Sequence, residues 1–448
     1  MTTVHEPRTP YLLLDRATAE ANIARLRDRI AALGPVLRPH LKTTKSVDVA
    51  RLIFGDTPGP ITVSTLAEAE AFADAGYTDI LYAVGIAPGK LAAVTALHAR
   101  GVRLTVLLDS VAQAEAVARA SRESGLAIPA LIEIDCDGHR GGLLPDSDEL
   151  LQVAAALEGH PPTDASNKAG PGEETGAGKE TGPDKETGPG KETGAGKEAT
   201  AGEEATTGEE ASPSDEAGAG DEAGAGSTTG GTLAGVMVHA GESYYARGVP
   251  ELEAAAENER ATVVAAAERL RAAGHPCPVV SAGSTPTAHF ARDLSGVTEV
   301  RAGNYVLFDL VMAGIGVCTP ADLAAAVVVT VIGHRPERGW IMTDGGWMAT
   351  SRDRGTAVQD VDQGYGLVTA LDGTPYADLI MTGASQEHGT LAVRDGSPYE
   401  LPDLPVGTRL RILPNHACAT TAQHDGYHVR AAPGADNLDA WWPRIHGW

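Results

Sequence analysis

The chain has 448 residues, 42% of them hydrophobic, and carries 35 Lys and Arg against 60 Asp and Glu, a net charge of −25. That length exceeds one ordinary domain and leaves enough apolar side chains for a sizeable core, while the acidic balance excludes nucleic acid and an anionic membrane surface as partners. Cys136, Cys277, Cys318 and Cys418 lack CxxC spacing, the N-terminus has no apolar targeting segment, and no apolar run approaches ~18 residues, so a soluble cytoplasmic protein is expected.

The first strand-like run is Tyr11-Leu-Leu-Leu14. Over 17–33, Ala21, Ile23, Leu26, Ile30 and Leu33 recur near helical spacing, with Arg25, Arg27 and Arg29 between them. Eight short apolar runs follow, at 36–40, 61–64, 79–83, 104–108, 130–134, 235–239, 278–282 and 298–303. Ala- and Leu-rich helical stretches separate them, including 46–54, 67–75, 90–100, 111–124, 148–157 and 251–273. Strand–helix alternation repeated eight times predicts an α/β fold with a (β/α)8 TIM-type barrel over 17–310. Short apolar strands suit a barrel whose strands are covered on both faces.

Residues 161–231 break the pattern, being Gly, Ala, Thr, Glu and Lys with almost no large apolar side chain. They include a six-residue repeat, Lys185-Glu-Thr-Gly-Pro-Gly followed by Lys191-Glu-Thr-Gly-Ala-Gly. Such a segment cannot bury enough area to offset its ordering entropy, so a disordered low-complexity insertion within the barrel is expected. Loop-closure entropy grows slowly with length, so the barrel tolerates it. Beyond Phe308, strand-like runs at 324–332, 339–343, 390–394 and 408–413, divided by Gly and Pro turns, predict a β-rich domain over 311–448. The strand at 9–15 is expected to join that domain.

The conspicuous polar residues fall at the C-terminal ends of the predicted barrel strands, the face on which barrel enzymes build their sites. Pro39-His-Leu-Lys-Thr-Thr-Lys45 follows the first strand and Arg140 the fifth. His239, Gly241 and Tyr244 follow the sixth, Ser281, Gly283, Ser284 and Thr285 the seventh, and Gly303 and Asn304 the eighth. A lysine leaving a strand into a pocket loses its charge on burial and becomes a nucleophilic amine able to hold an aldehyde as a Schiff base. Read alone, the Lys-Thr-Thr-Lys turn is a solvated loop, and either Lys42 or Lys45 could serve. Glycines that admit close backbone approach, with hydroxyls and helix-start N–H groups, make the Ser281–Thr287 loop suited to phosphate, although such a loop is also an ordinary helix cap. A lysine facing a phosphate loop across one barrel mouth points to pyridoxal 5′-phosphate.

A second constellation is Pro414-Asn-His-Ala-Cys-Ala-Thr420. On a strand, His416 and Cys418 face the same side, and imidazole with thiolate suits Zn²⁺. Two ligands leave positions open for water or substrate, the catalytic rather than the structural arrangement; the ordinary alternative is a buried thiol beside a histidine. Glu387-His388-Gly389 reads either as a source of supporting or substrate contacts or as an exposed polar turn.

These residues together resemble the eukaryotic-type D-serine dehydratase and D-threonine aldolase family of alanine-racemase-like (fold type III) pyridoxal-phosphate enzymes. The matching pieces are Arg38-Pro-His-Leu-Lys-Thr-Thr-Lys45, Ser64-Thr-Leu-Ala-Glu-Ala-Glu70, Ile134-Asp135 with Asp137-Gly-His-Arg-Gly141, and His239-Ala-Gly-Glu-Ser-Tyr244. Further along come Gly283-Ser-Thr-Pro-Thr287, Glu299-Val-Arg-Ala-Gly-Asn-Tyr305 and Pro414-Asn-His-Ala-Cys418. The resemblance implies that Lys42, rather than Lys45, carries the cofactor. It implies cofactor contacts from Arg140, His239, Tyr244, Ser284, Thr285, Gly303 and Asn304, and zinc on His416 and Cys418. It also implies a homodimer with the β-domain of one subunit near the barrel mouth of the other. Thr44 departs from the family, which usually has His there.

The family's aldolases carry His-x-Asp and its dehydratases His-x-Cys. Cys418 therefore implies elimination of water from a D-β-hydroxy amino acid, giving a 2-oxo acid and ammonia, with Lys42 removing the α-proton and Zn²⁺ assisting loss of the β-hydroxyl. D-Serine is the simplest substrate. D-threo-3-Hydroxyaspartate dehydration and D-threonine retro-aldol cleavage are the alternatives within the fold. A non-catalytic pyridoxal-phosphate carrier is the alternative from another class, and the C-terminal domain and metal pair argue against it.

Overall fold

Parallel strands buried on both faces need hydrophobic side chains on alternate positions inward and outward, and that alternation shapes this chain. The computed structural model describes residues 2–138, 140–159 and 230–448. The low-complexity segment expected at 161–231 lies outside the described residues as far as 229. In chain order the N-terminal elements are β1 (Tyr11–Asp15), α1 (Arg16–Leu33), β2 (Val36–Pro39), α2 (Val47–Phe54), β3 (Ile61–Val63) and α3 (Leu66–Asp74). They continue with β4 (Asp79–Gly85), α4 (Leu91–Ala99), β5 (Arg103–Leu108), α5 (Val111–Ser124), β6 (Pro129–Ile134) and α6 (Asp148–Leu157). Then come β7 (Thr232–Val238), α7 (Val249–Ala272), β8 (Val279–Ala282), α8 (Thr285–Phe290), β9 (Glu299–Ala302) and α9 (Leu310–Gly314).

Strands β2 to β9 form one parallel sheet in the order β2-β9-β8-β7-β6-β5-β4-β3. It closes where the Leu41 N–H donates to the Thr62 carbonyl at 2.8 Å, beside a parallel bridge between His40 and Thr62. Ile80 and Tyr82 pack outward under the helices, whereas Leu81 turns inward to join Leu107, Leu131 and Met237 in a separate interior cluster. The opposite side of the interior is charged. Arg38 Nε donates to Glu299 Oε2 at 2.7 Å and its Nη1 to Asp79 Oδ1 at 2.9 Å. Ser281 Oγ donates to Glu299 Oε1 at 2.7 Å and accepts from Arg301 Nε at 2.8 Å. Uniformly apolar strands were the expectation; here Arg38, Ser281, Glu299 and Arg301 occupy inward positions, and their mutual pairing offsets the burial of charge.

The C-terminal elements are β10 (Ala325–Arg335), β11 (Trp340–Thr343), α10 (Trp347–Thr350), β12 (Leu367–Ala370), β13 (Pro375–Ala384) and β14 (Gly389–Val393). They end with β15 (Arg409–Leu413), α11 (Ala417–Thr421), β16 (Gly426–Arg430) and β17 (Leu438–Pro443). The sheet order is β11-β14-β13-β12-β15-β10-β1-β16-β17, and an added β10–β11 pairing closes six antiparallel strands into a second barrel. As expected, β1 belongs here, antiparallel to β10 and parallel to β16. Asp15 at its end is buried between two guanidinium groups, accepting from Arg411 Nη2 at 2.9 Å and from Arg430 Nε. This is the alanine-racemase-like arrangement of a (β/α) barrel with a β-domain. Among the described residues no helix is long and apolar enough to cross a membrane.

Candidate active site

The loop after β2 is held from both domains. Lys45 leaves it in the left-handed region (φ 45°) and places Nζ 2.9 Å from Glu68 Oε1. Glu68 is fully buried and also accepts from the Ser64 and Thr65 hydroxyls at 2.8 and 3.1 Å, which accounts for the Ser64-Thr65-x-x-Glu68 motif as the cap of α3. From the β-domain, the Thr421 hydroxyl donates to the Thr43 carbonyl at 2.9 Å, the Tyr427 hydroxyl to the Thr44 carbonyl at 2.8 Å, and the Ile445 N–H to the Lys45 carbonyl at 2.6 Å. Thr44 itself is buried, with its hydroxyl 3.4 Å from the Leu41 carbonyl. Lys42, unlike Lys45, lines a cavity of about 580 Å³ at the barrel mouth.

That cavity collects the residues expected to contact the cofactor or the metal: Lys42, Arg140, His239, Tyr244, Ser284, Thr285, Gly303, Asn304, His416 and Cys418 all line it. Arg140 bonds Glu133 Oε1 through Nη2 at 2.7 Å. His239 Nδ1 lies 3.4 Å from the Gly283 carbonyl. Burial, then the positive charges of Lys42, Arg140 and Arg301, pushes His239 down to about 3, so the imidazole is neutral. Burial raises the Tyr244 phenol and keeps it a donor.

The loops after β8 and β9 have the features of an anion cradle. A Cβ on Gly283, at φ +122°, would stand 2.4 Å from the Arg301 carbonyl oxygen, and one on Gly303 2.6 Å from that of His40, so only glycine fits at either place. Thr285 Oγ1 is buried without a protein partner and can donate to an anion, whereas Asn304 Oδ1, also without one, is an acceptor and calls for a donor. Ser284 is different. Its Oγ accepts from the Thr287 N–H at 3.2 Å, and its own N–H donates to Thr287 Oγ1 at 2.9 Å, so both groups are committed to capping α8. Ser284 thus caps α8 while lining the cavity, and the Thr285 hydroxyl is left for a ligand. A phosphate beside Thr285 and an aldehyde at Lys42 fit this cavity.

The metal-type pair lies on the β-domain side. A strand was expected to carry it, but β15 ends at Leu413; His416 caps α11 and Cys418 opens its first turn. The helical turn still brings both to one cavity. His416 Nδ1 lies 2.6 Å from Asp353 Oδ2, and Cys418 Sγ lies 3.1 Å from Thr43 Oγ1. Burial opposes charge on both side chains. Even so, Asp353 and Cys418 raise His416 to about 11, and His416, Lys42 and Thr43 lower Cys418. An imidazole–thiolate pair held this way is a donor set for a soft divalent ion that takes the proton's place. Among the described residues no three His, Cys, Asp or Glu side chains converge as ligands, so the pair would leave positions open. Glu387 and His388, by contrast, are exposed in the turn between β13 and β14 and do not line the cavity.

Among the lining residues given no role by sequence reasoning are His40, Arg301, Asp309 and Asp353. His40 had a signal, its place two residues before Lys42; burial keeps it neutral. Arg301 alternates with Glu299 along β9. Asp309 and Asp353 lie in turns and carried no local signal.

Residues 324–430 match the family model described as "Putative serine dehydratase domain", and residues 14–166 match "Alanine racemase, N-terminal domain". The chain is 45% identical over 443 residues to D-threo-3-hydroxyaspartate dehydratase of Delftia sp. (strain HT23), covering 98% of each. It belongs to the D-serine dehydratase and D-threonine aldolase family of pyridoxal-phosphate lyases. Within this family it is 26% identical over 444 residues to D-serine dehydratase of Dictyostelium discoideum, covering 95% of this chain and 94% of the relative. The solved Delftia structure superposes with a TM-score of 0.81 at 44% identity, covering 100% of both chains. Two further solved forms of that dehydratase are a His-to-Ala variant and, two positions later, a Cys-to-Ala variant "in the metal-free form". D-Threonine aldolase of Filomicrobium marinum, at 21% identity and a TM-score of 0.70, over 99% of this chain and 97% of its own, shares the fold.

Proposed function

We propose that this protein is a pyridoxal-phosphate- and zinc-dependent dehydratase of D-β-hydroxy amino acids, with D-threo-3-hydroxyaspartate as its preferred substrate. The observation that carries the reading is the pairing of His416 and Cys418 on one wall of the cavity that Lys42 also lines. The metal-free Cys-to-Ala form of the Delftia dehydratase, with its neighbouring His variant, supports a metal role for a His-x-Cys pair. Its identity to this chain supports the substrate.

Thr285 and the N–H groups around Gly283 and Gly303 would hold the phosphate, and Asn304 Oδ1 would accept from a donor on the bound cofactor. Tyr244, His239 and Arg140 would frame the ring, and His416 and Cys418 would hold zinc. When bound, pyridoxal phosphate withdraws electrons from the substrate's α-carbon and zinc polarises the β-hydroxyl as a leaving group. Lys42 is the primary amine among the cavity-lining residues, so its Nζ would hold the cofactor's aldehyde and would be the base that accepts the α-proton. Neutral His40 and His239 place no additional positive charge beside Lys42. Asp353 orients His416, and Thr43, next to Lys42 in sequence, bonds Cys418 and so ties the amine's loop to the metal wall. We also read the enzyme as a cytoplasmic homodimer; the four free thiols support a reducing compartment.

The test is product analysis with pyridoxal phosphate and Zn²⁺ added, on D-threo-3-hydroxyaspartate, D-serine and D-threonine in parallel. Ammonia with a 2-oxo acid, formed fastest from the first, is expected. Glycine with an aldehyde would make the protein an aldolase and overturn the weight placed on Cys418. Tight cofactor binding with no turnover would make it a carrier.

A further inference from the structure

Asp309 is 1% exposed and gathers donors from three separate elements. Its Oδ1 accepts the Met312 N–H at 3.0 Å, capping α9. Its Oδ2 accepts two more, from Asn304 Nδ2 at 2.6 Å and from the Ala417 N–H at 2.9 Å. Asn304 follows Gly303 in the cofactor loop, and Ala417 is the residue between His416 and Cys418. One carboxylate oxygen therefore joins the cofactor side of the cavity to the turn that aims the metal pair.

The surrounding backbone reinforces that join. The Leu310 and Val311 N–H groups donate to the Pro414 and Asn415 carbonyls at 3.0 and 3.2 Å, docking the start of α9 on the same turn. Phe308, directly before Asp309, is held at φ 49°, a left-handed conformation that a bulky side chain rarely adopts. Asp309 offers acceptors, so Asn304 must turn its Nδ2 toward it. That leaves Asn304 Oδ1, on a residue 8% exposed, buried at the cavity without a protein partner. An occupant that donates a hydrogen bond to this oxygen also fixes the amide that Asp309 holds.

We propose that Asp309 is a positioning residue that couples the cofactor pocket to the metal pair, so that filling either one tightens the other. The inference rests on reading Asn304 as a cofactor contact and His416 with Cys418 as metal ligands. Coupling of this kind is reciprocal in binding free energy, and it can act through ordering without a large movement.

The test is zinc affinity, measured by competition with a chromogenic chelator, for protein stripped of pyridoxal phosphate and for protein loaded with it. Wild type is expected to bind zinc about 5-fold or more tightly when loaded. In Asp309→Asn an amide cannot accept from all three donors, and the ratio should fall toward one while zinc still binds. Asn304→Ala removes the same link without touching the Ala417 bond, and it should collapse the ratio in the same way even if Asp309→Asn does not fold. A wild-type ratio of one, or an undiminished ratio in Asn304→Ala, overturns the coupling alone. Wild type that binds no zinc in either form overturns the metal reading and the coupling with it.

Discussion

Replacing Asp353 by Ala removes the acceptor that fixes His416. The Asp353 Oδ2 to His416 Nδ1 distance is 2.6 Å, and a charge-assisted hydrogen bond of this kind is worth roughly 1.5–3 kcal/mol. The His416 and Asp353 side chains are 42% and 35% exposed, so solvent competes for the bond and the lower end applies, about 1.5 kcal/mol. That corresponds to a roughly 10-fold loss of zinc affinity, in the range seen when a ligand's supporting partner is removed. Asp353 Oδ1 also accepts the Gly355 N–H at 2.8 Å, so some loosening of that turn accompanies the change. Zinc competition titration reads the first effect, and pyridoxal-phosphate binding by absorbance serves as control. Asp353→Asn, whose amide oxygen still accepts from Nδ1–H, should recover part of the affinity. Unchanged zinc affinity in Asp353→Ala, or an equal loss of cofactor affinity, would refute the assignment of Asp353 as the orienting partner.

Lys42→Ala should abolish turnover and the covalently bound chromophore near about 420 nm, whereas Lys45→Ala should keep the colour and lose stability because Glu68 is left buried without its cation; a persistent covalent chromophore in Lys42→Ala would show the wrong lysine was chosen. Asp15→Ala leaves the Arg411 and Arg430 side chains, 5% and 1% exposed, without their shared carboxylate, so urea unfolding should show a loss of about 3–5 kcal/mol, and a loss below about 1 kcal/mol would contradict the pairing. Acid should destabilise the cofactor-free protein partly through His40 and His239. Both are lowered in the fold, so the unfolded chain takes up their protons first: stability is full above about pH 6.5 and falls by about 1.4 kcal/mol per pH unit per histidine below it. His239→Gln should flatten that slope in denaturant titrations between about pH 6 and 4; an unchanged slope would mean that His239 is not held neutral.

The eight barrel strands were legible because each is a short apolar run bounded by polar turns, and the ligand-type residues were legible because they cluster at the strand ends. Strands β12, β13, β16 and β17 were not. β17, for instance, alternates partly buried with exposed residues, and β13 begins with Pro375, so neither reads as an apolar run. The charged half of the barrel interior was equally hidden, since Arg38 and Glu299 look like surface residues until each is seen to neutralise the other.

Composition and periodicity gave the fold class, and residue types at the strand ends pointed to the barrel mouth and to a lysine, a phosphate-type loop and a His-x-Cys pair. Those features are local: they depend on spacing and residue type, which the linear chain carries. Three-dimensional packing sent Lys45 to Glu68 and left Lys42 lining the cavity, moved His416 and Cys418 from a strand to a helix start, and brought Asp353 to His416 across 63 residues. It also set Asp309 between Asn304 and Ala417. A side chain's burial leaves a trace in the spacing of its neighbours, but its partner depends on sheet register and on how two domains close around one loop, and spacing along the chain does not encode that.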